Sequence, residues 1–193
     1  MSNFSAISEI GGGKPWLIWV FILIVILLIK SYDLINMIEH FKTNPQKAAS
    51  KISINNSLMA VCLAIFGILW AIVPEKLTPP IIIQFTFAIP LLYVSSIAYT
   101  KIAYWKQVKF WDYLGWFTGT TATAFVLNII AILIFILGYK GMALAYFLVL
   151  WSLLAVYTII NIHYNPWAVR VKIFKLLFFI LIQLIFGVVI FYF

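Results

Sequence analysis

Six apolar runs alternate with short polar connections along the chain. They cover residues 16–35, 57–73, 81–104, 111–138, 142–162 and 173–193. A helix that crosses a bilayer needs about 20 mainly apolar residues, and these runs meet that length, 57–73 being the shortest. The pattern predicts an all-α, polytopic integral membrane protein: a bundle of about six transmembrane helices forming a single domain over residues 1–193. Composition agrees. Of 193 residues, 65% are hydrophobic and 9% charged, and the mean hydropathy is +1.11. Soluble domains are about 25% charged, so this excess of apolar surface belongs in lipid.

Local signals punctuate the runs. Gly11, Gly12, Gly13 and Pro15 break any helix before Trp16. Phe4, Ile7 and Ile10 recur at helical spacing, as in a short surface-lying segment. The first run is too long for a signal-peptide core and lacks a small-x-small cleavage site after it, so it reads as a span. Asn44-Pro45 marks a turn inside a polar connection that the pattern extends to residue 56. Pro90 sits within 81–104, where its missing N–H should kink a helix. Tyr139-Lys140-Gly141 is a tight connection, which makes 111–138 and 142–162 an antiparallel pair. No internal repeat relates the first three runs to the last three.

Charge gives direction. The connections after the first, third and fifth runs hold Lys30, Lys42, Lys47, Lys51, Lys101, Lys106, Lys109, Arg170, Lys172 and Lys175. The other side holds Lys14, Lys76 and Lys140. By the positive-inside rule the segments 36–56, 105–112 and 163–172 are cytoplasmic and both termini lie on the outer or lumenal side. The membrane is a bacterial or archaeal plasma membrane or that of an organelle. The net charge of +8 therefore points to anionic headgroups of the lipid bilayer rather than to nucleic acid.

The run 111–138 stands apart. Its first half is crowded with small and hydroxylated residues, where the others carry Leu, Ile, Val and Phe. Small residues let helices approach closely in lipid, so this helix is expected at the centre of the bundle. At 100° per residue, Gly115, Gly119, Ala122 and Thr123 share one face, a packing face of the Gly-x-x-x-Gly kind. Thr118, Thr121, Ala124 and Asn128 share the adjacent face. That second face either touches a polar ligand or path, or packs on neighbours with its threonines bonded back to their own helix. Packing is the expectation for both faces. Asn128 is the best single candidate for a polar role, since an amide at depth requires partners. Gln183 and Gln84 are of the same kind.

Chemistry is otherwise thin. Glu9, Asp33, Glu39, Glu75 and Asp112 all fall at the ends of runs or between them, and no Lys or Arg lies mid-run. This argues against an ion-coupled transporter with a midplane carboxylate and against a voltage sensor. His40 and His163, the only histidines, are expected at the cytoplasmic interface as hydrogen-bonding groups. Neither they nor the lone Cys62 form a metal-binding pattern. No nucleophile–base pair, HExxH or phosphate loop is present, and the sequence names no particular cofactor, leaving its apolar and aromatic surface as a contact for lipid or a cofactor. These features favour a non-catalytic subunit of a larger membrane assembly, with other membrane subunits as partners. The alternative is a small passive channel or facilitator for a neutral solute, working alone or as a homo-oligomer with copies of itself as partners, with Thr118, Thr121, Asn128 and Gln183 along its path.

Overall fold

The computed structural model of the chain describes residue 26 and residues 43–72, 74–104, 109–164 and 166–188. Five long helices follow one another: α1 (Pro45–Ile72), α2 (Pro79–Tyr104), α3 (Lys109–Ile136), α4 (Lys140–Tyr164) and α5 (Val169–Gln183). Beyond Gln183, α5 continues as a π-helical turn, Leu184–Val188. Short 3-10 turns lie at Pro74–Lys76 and Pro166–Ala168. Among the described residues there is no strand. All five helices are long and apolar enough to cross a membrane, which makes this an integral membrane protein with several spans. The expected helix 16–35 lies outside the described residues apart from Ile26, as do residues 189–193 and His40.

Two helix starts differ from the sequence pattern by more than two positions. Residues 45–56 are helical, not a loop, so α1 begins twelve positions before the expected 57. The Asn44-Pro45 pair is an N-cap rather than a simple turn: Asn44 Oδ1 accepts the Lys47 N–H at 2.7 Å, and Pro45 takes the first helical position, which needs no N–H. Lys47 and Lys51 thus stand on the first turns of α1. In the same way α5 begins at Val169, ahead of the expected 173, because only one 3-10 turn separates it from α4. Arg170, Lys172 and Lys175 are helical residues. The buried Val171 alternates with the exposed Arg170, and polarity averaged over the stretch masks that helical face.

The end of α3 falls at Ile136 rather than 138, and its geometry explains why. Gly138 has φ 95°. Its N–H donates to Phe135 O at 2.9 Å, and the Tyr139 N–H donates to Ile134 O at 3.2 Å. This pair of bonds is the Schellman arrangement, which satisfies the last carbonyls and turns the chain into α4. At Pro90 the assigned helix α2 runs on without interruption.

As its small residues predict, α3 touches all four other helices, most extensively α2. It buries more residues than any other described helix, among them Gly115, Ala122, Ala124, Phe125 and Ile129. The core combines these with Cys62 and Leu69 of α1, Phe85, Ala88 and Leu92 of α2, and Phe178, Phe179 and Ile182 of α5. By contrast α4 buries only Ala143 and Phe147 and leaves Leu148, Val149, Leu153 and Ile160 exposed. In lipid such exposure carries no cost.

Candidate functional site

Polar groups gather at three depths. The first set crosses three helices. The Asn55 amide of α1 donates to Ser95 Oγ of α2 at 2.9 Å, and Ser95 donates to the Gly115 carbonyl of α3 at 2.7 Å. Asn55 and Ser95 are buried. The relay exists because α3 lacks side chains there. A Cβ on Gly119 would stand 2.7 Å from Ser95 Oγ, and one on Gly115 would stand 2.9 Å from the Tyr99 ring. The Gly115/Gly119 face therefore meets α2 of the same chain. Ala122, on that face, is fully buried.

The threonines of α3 close on their own helix. Thr118 donates to Leu114 O at 2.7 Å, Thr121 to Phe117 O at 2.9 Å and Thr123 to Gly119 O at 2.7 Å. Such back-bonding satisfies a hydroxyl without a ligand. Each hydroxyl proton is thereby used within α3, while the oxygen keeps its acceptor capacity.

The second set lies nearer the opposite end and centres on the π-turn of α5. Asn128, Gln84 and Gln183 are all 0% exposed. Gln84 Nε2 donates to Phe186 O at 2.8 Å. Trp151 Nε1 of α4 donates to Gln183 Oε1 at 2.7 Å. Gly187 abuts Asn128, for a Cβ there would stand 2.8 Å from both Asn128 Oδ1 and the Phe147 ring. Three amides from three helices thus converge on one turn. Among the described residues four of their atoms lack a hydrogen-bond partner: the acceptors Gln84 Oε1 and Asn128 Oδ1, and the donors Asn128 Nδ2 and Gln183 Nε2. An unsatisfied buried polar group costs about 1–3 kcal/mol, and π-turns are frequent at functional sites. The group is uncharged and offers both donors and acceptors. It suits a small neutral partner with the same dual character.

The third set caps the lysine-rich end. Thr43 donates to Asp112 through its N–H, at 3.0 Å to Oδ2, and through its hydroxyl, at 2.5 Å to Oδ1. Lys51 donates to Tyr99 Oη at 2.8 Å and lies 4.3 Å from that ring's centroid. Lys175 sits 5.0 Å from the centroid of Trp116. Lys172 donates to the Asn161 carbonyl.

Sequence reading singled out Asn128 and Gln183, which the structure brings to one turn, together with Thr118, Thr121 and the Gly115/Gly119 face. It missed the roles of Asn55, Trp151, Gly187, Lys51 and Lys175. Asn55 and Lys51 were hidden by the late start assigned to α1. Gly187 gave only a lone glycine in an apolar run, with no signal of a π-turn. His163, in the last turn of α4, is exposed and stacks edge-on to Tyr164 at 5.7 Å. Among the described residues no three His, Cys, Asp or Glu side chains gather as a metal site would require. No family model, curated protein or solved structure matches the chain.

Proposed function

We propose that the protein is a non-catalytic, membrane-embedded subunit of a larger assembly, with six spans and its lysine-rich end in the cytoplasm. The observation that carries this is a polar patch on the outer surface of the described helices, about midway along α2. Tyr93 is 58% exposed, about 21 Å along α2 from Pro79. One turn on, Ser96 donates to Oδ1 of the exposed Asn56 on α1 at 3.2 Å. Ser53 and Ser57 flank Asn56 and are exposed too. Among the described residues the Tyr93 hydroxyl has no hydrogen-bond partner. Lipid tails offer none, whereas an adjoining helix does, and amides and hydroxyls are the groups that hold helices together in membranes. A lateral partner that covers α1 and α2 accounts for the patch. Pairwise replacement tests this. Asn56→Leu with Tyr93→Phe should release the chain from its partners while leaving it folded. Full retention of partners in that variant counts against the reading.

The second reading, a passive facilitator for a neutral solute, is favoured by the amide cluster alone. It requires Asn128 to contact the solute. Asn128→Leu should then abolish solute flux into liposomes while the protein still folds, and undiminished flux removes Asn128 from the path.

A further inference from the structure

We propose that the amide cluster at the π-turn of α5 binds a neutral primary carboxamide, which Asn128, Gln84 and Gln183 hold between them. The site is the one on which the facilitator reading rests, but binding needs no passage, so a subunit can carry it too. Two neighbours fix what the cluster has left to offer. The Phe186 carbonyl can only accept, so Gln84 turns its NH2 toward it and leaves Oε1 as the free atom. The Trp151 indole N–H can only donate, so Gln183 turns Oε1 toward it and leaves its NH2. Asn128 keeps both ends of its amide. Among the described residues the cluster therefore offers two acceptors, Gln84 Oε1 and Asn128 Oδ1, and two donors, Asn128 Nδ2 and Gln183 Nε2.

That balance of donors and acceptors selects the ligand. A primary carboxamide has a carbonyl oxygen with two lone pairs and an NH2 with two hydrogens. Its oxygen accepts from Asn128 and Gln183, and its NH2 donates to Asn128 and Gln84. Against Asn128 the two amides pair edge to edge through two antiparallel bonds. A single water cannot pair this way, because the oxygen and nitrogen of Asn128 diverge from the amide carbon. A carboxylate or a ketone leaves both acceptors unpaired, and an ammonium leaves both donors unpaired. Charge is also costly to bury among uncharged groups. The surroundings are aromatic: the Phe125 and Phe186 rings meet edge-on at 5.2 Å, and Phe147 lies 5.6 Å from Trp151. In such a low-dielectric setting an unpaired polar atom is most costly and a paired one most strongly held. Gly187 keeps the space beside Asn128 Oδ1 clear of a side chain, for a Cβ would stand 2.8 Å from that oxygen. The three amides are shut off from solvent, so entry requires α5 to yield. Its π-turn, where the α-helical bond pattern is already interrupted, is the place for that.

Equilibrium dialysis of the full chain in mild detergent against radiolabelled acetamide tests the site. Acetone and acetate are matched competitors, with the same heavy-atom skeleton and a methyl or an anionic oxygen in place of the NH2. Saturable binding is expected, displaced by unlabelled acetamide and not by acetone or acetate at the same concentration. Binding should weaken about tenfold in Asn128→Leu and in Gln183→Leu, each of which strands a polar group of the ligand. Gly187→Ala changes no polar atom and should weaken binding by crowding Asn128. Asn56→Leu, in the exposed patch on α1, is the control and should bind as the wild type does. Flux of acetamide into liposomes is measured separately: binding without flux contradicts the facilitator reading and leaves the site standing. Absence of saturable binding overturns the proposal, and is the result if the cluster holds water alone. Displacement by acetone as effective as by acetamide overturns it too, as does unchanged binding in Asn128→Leu. The wild-type competition decides the matter even if a variant fails to fold.

Discussion

Ser95 Oγ occupies the space that a Cβ on Gly119 would need, at 2.7 Å from it. From that position it joins Asn55 to the Gly115 carbonyl and so ties α1, α2 and α3 together. The glycine and the serine work as a pair. Gly119→Ala should therefore destabilise the bundle by about 1–3 kcal/mol, the usual cost of overpacking. In a Ser95→Ala background the nearest atom becomes Ser95 Cβ, at 3.6 Å from the added methyl. The same glycine change should then cost markedly less. Thermal melting of the two single variants and the double variant in detergent measures the coupling. Additive costs would show that the two residues act independently.

Asn128 sits fully buried with both amide atoms unpartnered. Asn128→Leu removes two of the four unpartnered atoms at this turn and keeps the same branched heavy-atom skeleton, with two methyl groups in place of O and NH2. If the site is empty of polar partners in the membrane, melting should rise, or stay level, because replacing an orphaned polar group with an apolar one is neutral or stabilising. A fall of about 2 kcal/mol or more would mean that the amide normally holds a bound molecule or water. That outcome would strengthen the facilitator reading.

Gly138 closes α3 at φ 95°. A side chain there costs about 1–2 kcal/mol, so Gly138→Ala should lower stability by that amount. Gly141→Ala is a matched control three residues away. No atom lies within 4 Å of either added methyl, and Gly141 lacks the positive φ. Melting of both variants separates backbone strain from crowding. Equal effects would remove the Schellman turn as the cause.

Thr43 reaches Asp112 with two bonds across 69 positions of sequence. They fasten the residue two positions before α1 to the first turn of α3. Hydrogen bonds to a charged group contribute about 1.5–3 kcal/mol, and partial exposure reduces this. Asp112→Ala should cost about 1–2 kcal/mol, and the loss should shrink in a Thr43→Ala background, where only the backbone donor remains. Protease accessibility near residue 43 reports the same fastening. An unaltered digestion rate in Asp112→Ala would contradict it.

What the sequence shows of this molecule follows from how local each signal is. Spans are legible because a long apolar run needs no partner to be recognised, and all five helices fall where runs occur. The central place of α3 is legible because Gly115 and Gly119 announce close approach. Helix starts are less so. Asn44-Pro45 has the same residues whether it ends a loop or caps a helix, and only the Lys47 N–H bond distinguishes the two. The polar sites depend on which residues meet across helices. Nothing local in Gln84, Asn128 and Gln183 announces that all three reach the turn at Gly187. Likewise Lys51 reads as a loop cation until α1 begins at Pro45 and sets it against Tyr99.

The most direct test of the central proposal is native mass spectrometry of the protein extracted from its own membrane in mild detergent. A subunit role predicts stoichiometric, different polypeptides in the same particle, lost when Asn56 and Tyr93 are replaced together. A particle that contains this chain alone, as monomer or homo-oligomer, would contradict it.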